Sequence, residues 1–248
     1  MLLLYFYYTT FSSVWEDLIS VSLDSEFRYS QNALAQTYKD ELKESCFIPL
    51  LDSNKPHESA NYISRQLVQN GIIESGQSMF LPQIVDYHNR TNFTNLIIVD
   101  DCVGSGHQLT DFWMHGKVNV NGTTKLLREY CAENNIHATY LTLFGYNVSI
   151  KELSEKFSDL NIVCVRELND SLRVFNKNSY IWENEKELDY AKSVFSEYAM
   201  IGNVSLYGYN LLDFAFIMHR TIPDWSLPIL WTDNADWKHL MRRKNSNG

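Results

Sequence analysis

The sequence predicts an α/β domain built on a doubly wound parallel sheet, and three observations carry that prediction. Short apolar runs of strand length alternate with stretches of helical period from Cys46 to Val165. Strands separated by helices of about ten residues pair in parallel through right-handed crossovers. The chain is also rich in core material and poor in breakers: 248 residues are 45% hydrophobic, with 13 Phe, 6 Trp and 15 Tyr but only 10 Gly and 5 Pro. That Gly and Pro share is about half the usual one, which excludes a collagen-like or low-complexity chain. A chain of this length can bury about 70–75% of its unfolded surface.

The first elements are helical. Ser13-Val14-Trp15-Glu16 has the capping-box pattern ahead of Leu18 and Val21, and Leu34, Tyr38 and Leu42 recur at helical spacing, so two N-terminal helices occupy residues 1–45. Cys46 to Leu51 reads as a buried strand, with Pro49 marking an edge or a bulge. Ser59 caps a helix carrying Ala60, Ile63 and Leu67, and Asn70-Gly71 stops it. Leu96-Ile97-Ile98-Val99 is the clearest central strand. A Gly-bearing loop leads from it into a helix with Leu109, Phe112 and Trp113, ended by Gly116. A helix over about Lys125–Glu133, a strand over Ala138–Phe144, a helix opened by the Ser149-x-x-Glu152 capping box and a strand over Ile162–Val165 complete a core at 46–183. Asn184-x-x-Glu187 opens a last helix with Leu188, Ala191, Phe195 and Tyr198 on one face. From Leu206 to Trp237 the chain is aromatic and irregular, an edge hairpin or a cap, and no linker separates 184–248 from the rest. A single domain over 1–248 is expected.

A net charge of −9 and a pI near 5.2 have the wrong sign for a protein that grips nucleic acid over a broad surface. The apolar start, Met1 to Tyr8, lacks a basic flank, is too short to span a bilayer and makes a poor signal peptide. Cys46, Cys102, Cys131 and Cys164 lie far apart without zinc-like spacing, and read as reduced thiols of a cytoplasmic protein. His115, His137, His219 and His239 show no ligand spacing either.

One segment carries chemistry: Ile97-Ile98-Val99-Asp100-Asp101-Cys102-Val103-Gly104-Ser105-Gly106-His107-Gln108-Leu109. In open parallel sheets, ligands sit beyond the carboxyl ends of the strands. Here such an end delivers two adjacent carboxylates, and a turn with two glycines then starts a helix. Small residues let backbone N–H groups approach a phosphate, and the helix N-terminus adds a favourable dipole. Two acids would repel a bare phosphate, so they make sense facing sugar hydroxyls or a metal while the amides hold the phosphate nearby.

This segment resembles the ribose-phosphate signature of type I phosphoribosyltransferases: an apolar strand, two acids, three variable residues, Ser-Gly, and further small or polar residues. The resemblance implies a Rossmann-like fold in which Asp100 and Asp101 hold the ribose 2′- and 3′-hydroxyls of phosphoribosyl pyrophosphate. Gly104, Ser105, Gly106, His107 and Gln108 then form the cradle for its 5′-phosphate. Two positions depart from the pattern: Gln108 stands where a second hydroxyl residue is common, and His107 where a small residue is usual. The Gly-Ser-Gly-x-Gln form, with the late Leu227-Pro228-Ile229-Leu230-Trp231 and Trp237, is closer to the phosphoribosyltransferase-like PRTase-CE effectors of bacterial conflict and antiviral defence systems. The likeness extends loosely over Cys46 to Trp237, and its specific part is the stretch around the acid pair.

The same resemblance implies a reaction. Pyrophosphate leaves the anomeric carbon through an oxocarbenium-like transition state while Mg²⁺ neutralises it, so catalysis is mostly positioning and electrostatics. A pyrophosphate loop is needed, and Lys55 in Asp52–His57 and Arg90 in His88-Asn89-Arg90 are the cations on offer; by themselves both are ordinary surface residues. Trp225, Trp231 and Trp237 could stack a base or simply fill a core. Lys238, Arg242, Arg243 and Lys244 form a basic end that reads as a solvated tail or a partner contact. Two functions fit: a Mg²⁺-dependent phosphoribosyltransferase acting as a defence effector, or a sensing or partner-binding module that keeps the cradle without turnover. In both, the partner is phosphoribosyl pyrophosphate or a ribose-5-phosphate nucleotide, joined by a protein of the defence system.

Overall fold

A computed structural model of the chain describes residues 40–51, 59–218 and 222–241. The predicted N-terminal helices lie outside these residues except for 40–43, which are helical. The described elements are β1 (Ser45–Pro49), α1 (Ser59–Gln69), α2 (Ile84–Thr91), β2 (Asn95–Val103), α3 (His107–His115), β3 (Lys117–Val120), β4 (Thr123–Leu126), α4 (Leu127–Glu133), β5 (His137–Tyr146), α5 (Asn147–Lys156), β6 (Asn161–Leu168) and α6 (Glu185–Ile201). The fold is α/β, with a parallel four-stranded sheet in the order β1-β2-β5-β6 flanked by helices, as the alternation of runs predicts. Two compact units divide the chain. The first takes Met1–Asp101, Gly106–Gly145 and Ile150–Arg166, and the second takes Cys102–Ser105, Tyr146–Ser149 and Glu167–Gly248.

In the first unit the strands follow from their apolar runs. β1 pairs with β2 from Ser45 opposite Asn95 to Pro49 opposite Val99. It is an edge strand, where the N–H that Pro49 lacks is not missed. Its outer side is partly covered by a bridge from Phe47 to Ser78 and by Met79 N, which donates to Phe47 O at 3.0 Å. Successive strand residues face opposite sides, and the burial obeys this. Phe47, Ile97, Val99, Leu141 and Leu143 share one cluster with Ile63 and Leu67 of α1, and Val163 and Val165 pack against it. Cys46 takes the other face, within electrostatic reach of Tyr87 on α2 and Cys131 on α4. Both faces are therefore covered.

Three elements differ from the sequence reading. Lys125 and Leu126 are not helical: they end β4, which pairs antiparallel with β3 across Asn121-Gly122, and α4 begins only at Leu127. Both turn residues have positive φ, 50° and 84°, the geometry that makes Asn-Gly a hairpin turn. Ser149 does not open α5, which starts at Asn147 directly from the end of β5, so Ser149 is buried inside the helix. The helix α2 was not predicted. It buries only Ile84 and Val85 and ends on Asn92 in the left-handed conformation.

The second unit has its own core of Val174, Phe175, Leu188, Leu227 and Ile229, with Phe195 and Trp237 packed against it. The predicted N-cap of α6 forms: Asn184 Oδ1 accepts from Glu187 N at 3.2 Å. Leu188, Ala191 and Ala199 are buried, and Tyr198 is half exposed with its ring 6.2 Å from that of Trp237. The stretch after α6 is held by side chains rather than by ladders. The carboxylate of Asp213, with no exposed surface, accepts from Arg173 Nε at 2.5 Å and from Phe175 N at 2.5 Å. Phe214 bridges Arg173 on one side and Ser226 on the other.

Candidate functional site

The segment singled out by sequence sits where a ligand site is expected, at the carboxyl end of β2. The strand runs through both acids to Val103, Gly104–Gly106 form the loop, and α3 begins at His107. Asp100 and Asp101 are both buried. On Asp100, Oδ2 accepts from the Tyr140 hydroxyl at 2.7 Å and Oδ1 accepts from the backbone N of Asp101 at 2.9 Å. Burial, and next the negative charge of Asp101, push the Asp100 carboxyl well above the ordinary carboxylate range; the Tyr140 hydrogen bond pulls the other way. The pleat gives Asp100 the face of Ile98 and Tyr140, and gives Asp101 the face of Val99.

Each loop glycine has its own steric reason. A Cβ on Gly104 would lie 2.5 Å from Cγ and 2.8 Å from Nε1 of Trp225, inside the indole's contact distance. Trp225 is itself buried, stacked on Phe216 and edge-on to Phe214. Gly106 has φ +74°, and a Cβ there would meet Leu153 Cδ1 at 2.9 Å. Gly106 is the N-cap of α3. Ser105 is half-buried, while His107 and Gln108 are exposed in the first turn, where helical N–H groups point out along the axis.

The other assignments fare differently. Lys55 lies outside the described residues. Arg90 is described, and it does not join the acids. It lies in the last turn of α2, ahead of the amino end of β2, with its Nε donating to Asp86 O at 3.2 Å and its guanidinium over Tyr87. Five strand residues, about 17 Å at 3.3 Å each, separate the start of β2 from Asp100. Of the three tryptophans, Trp225 is buried and Trp231 and Trp237 are half-buried, Trp237 against the core of the second unit; Trp231 Nε1 donates to Ser226 O and Trp237 Nε1 to Ile229 O. Sequence reasoning missed Tyr140. Its hydroxyl gives no distinct signal, since Thr139, Thr142 and Tyr146 of the same strand carry one too, and the pairing that brings it to Asp100 cannot be read from either segment alone.

Among the described residues no helix is long and apolar enough to cross a membrane. No curated protein and no solved structure matches the chain. The model of one family, described as PRTase-CE, matches residues 2–243. That match covers the acid pair, the glycine loop and both compact units, and so this chain belongs to the PRTase-CE family and is a phosphoribosyltransferase-like protein.

Proposed function

We propose that this protein binds a 5-phosphoribosyl ligand, phosphoribosyl pyrophosphate or a ribose-5-phosphate nucleotide, and acts as an effector in a bacterial defence system. The observation that carries the reading is the order of parts at the end of β2: two buried acids, then a loop whose glycines admit no Cβ, then a helix N-terminus. The acids accept hydrogen bonds from ribose hydroxyls, and withdrawal from water strengthens such bonds. The backbone of Gly104–Gln108 receives the 5′-phosphate, where the amide dipoles of a helix's first turn favour an anion. His107 contributes its amide rather than its ring.

Among the described residues no three His, Cys, Asp or Glu side chains cluster as a metal cage. That suits Mg²⁺, which binds through one or two carboxylates together with the ligand's own phosphates. Asp100 and Asp101 are the carboxylates on hand, and the ion would neutralise charge on a departing pyrophosphate. The protein's own part is to hold the ribose and phosphate in one orientation and to keep water from the anomeric carbon.

The distance of Arg90 from the acids supports a second reading, in which the cradle binds and senses its ligand without turnover. One experiment separates the two: titration of phosphoribosyl pyrophosphate with and without Mg²⁺, with pyrophosphate release assayed on wild type and on Asp100→Asn/Asp101→Asn. Binding with release, lost in the double variant, supports the enzyme. Binding without release supports the sensor, and a folded protein that binds nothing refutes both.

A further inference from the structure

We propose that Tyr140 is a positioning residue for the ribose site, acting through Asp100 to fix the strand end from which the acid pair reads a sugar. The inference rests on the function proposed above and adds a residue from a different strand to it.

Asp100 is held at both oxygens. Tyr140 on β5 donates to Oδ2 at 2.7 Å, and the amide of Asp101 donates to Oδ1 at 2.9 Å. Tyr140 has no exposed surface and Asp100 only 4%, so the phenol reaches the site through the carboxyl and not directly. A phenylalanine at 140 would fill the same space, and an apolar residue at 100 would remove a costly buried acid. The hydroxyl and the carboxyl are of use to each other only as a pair, and what the pair grips is the peptide of Asp101. The chain Tyr140 Oη to Asp100 to Asp101 N therefore fixes the backbone that aims the Asp101 side chain.

The test uses the full chain and two probes, ribose 5-phosphate and inorganic phosphate, titrated against wild type and Tyr140→Phe, with thermal melting of both proteins as a check on folding. Loss of one buried hydrogen bond to an acid that must be held in place corresponds to about fivefold weaker ribose 5-phosphate binding. Inorganic phosphate, which senses the loop and not the acids, is expected to bind Tyr140→Phe within twofold of wild type. Unchanged ribose 5-phosphate binding overturns the inference. So does an equal loss for both probes, which a merely structural hydroxyl would produce. A folded wild type that binds neither probe overturns the functional reading and this inference with it, whereas the first two outcomes leave the functional reading standing.

Discussion

Replacing Gly104 by Ala tests the packing of the loop most directly. The backbone there is not left-handed, so the penalty comes from space alone. The added Cβ would sit 2.5 Å from Cγ and 2.8 Å from Nε1 of Trp225, where carbon contacts are comfortable at about 3.5–4.0 Å. The indole cannot swing clear. Phe216 stacks on it at 5.2 Å between centroids and Phe214 meets its edge at 5.3 Å. Relief must come from movement of the loop or of three packed rings, and overpacking of this kind costs about 1–3 kcal/mol. For a chain of this size that lowers Tm by about 2–4 °C per kcal/mol. Differential scanning calorimetry of Gly104→Ala should show this drop, while Gly76→Ala, where a Cβ meets nothing within 4 Å, melts with wild type. Combining Gly104→Ala with Trp225→Leu should make the alanine nearly silent, a coupling of about 1–3 kcal/mol. If Gly104→Ala melts with wild type, the contact between loop and indole is not as described and the steric argument fails.

Further tests address buried charge and thiols. Asp100, raised above its ordinary 3.8 by burial and Asp101, binds its proton more tightly folded than unfolded. Stability therefore falls as pH rises from about 4 through the raised folded value and then levels off. Asp100→Asn, which can still accept from Asp101 N and donate to Tyr140, should flatten that slope and melt higher than wild type at neutral pH; a lower melting point would contradict the sign. Asp213→Ala leaves Arg173 without its buried partner and Phe175 N–H without an acceptor, a loss of about 3–5 kcal/mol readable by urea unfolding. Lys43→Ala removes a pair exposed by 68% and 56% and should change stability by under about 0.5 kcal/mol. All four cysteines are thiols. Burial pushes the thiols of Cys46 and Cys131 up, the latter to about 12. Mass-spectrometric mapping after iodoacetamide at pH 8 should find the half-buried Cys102 and Cys164 modified well before them.

Where the sequence was legible, one physical signal dominated locally. β1, β2 and β5 are apolar runs whose burial requires strands on a covered sheet, β6 is a half-buried apolar run at its edge, and the N-cap of α6 is a side chain whose hydrogen bond lies within one turn. Where it was not, the deciding interaction was weak or distant. The strands of the hairpin, Lys117–Val120 and Thr123–Leu126, are short and mostly solvated, so only Asn121-Gly122 announces them. At eight residues α2 is too short to display a period. The second unit brings Val174 and Phe175 to Leu227 and Ile229 through an irregular backbone stapled by Asp213, and no window of sequence contains both sides of that contact. The same distance hid the partnership of Tyr140 with Asp100.

In the sequence the proposed site is marked by an acid pair and two glycines, and the structure changes what the glycines mean. Gly104 is required by an indole and Gly106 by a positive φ and a leucine, demands that a packed turn with no ligand would make as well. The glycines therefore do not by themselves separate a phosphate cradle from a tight loop. The acids do. A carboxyl with 4% of its surface exposed, beside a second acid at 6%, is a net loss to folding even when fully hydrogen-bonded, since uncharged side chains could occupy the same place without desolvating charge. Local rules broken without a structural gain are expected at functional sites. The strand end of β2 breaks one twice in succession, in the strand whose preceding residues are its most apolar, which supports the ribose-binding role proposed for it.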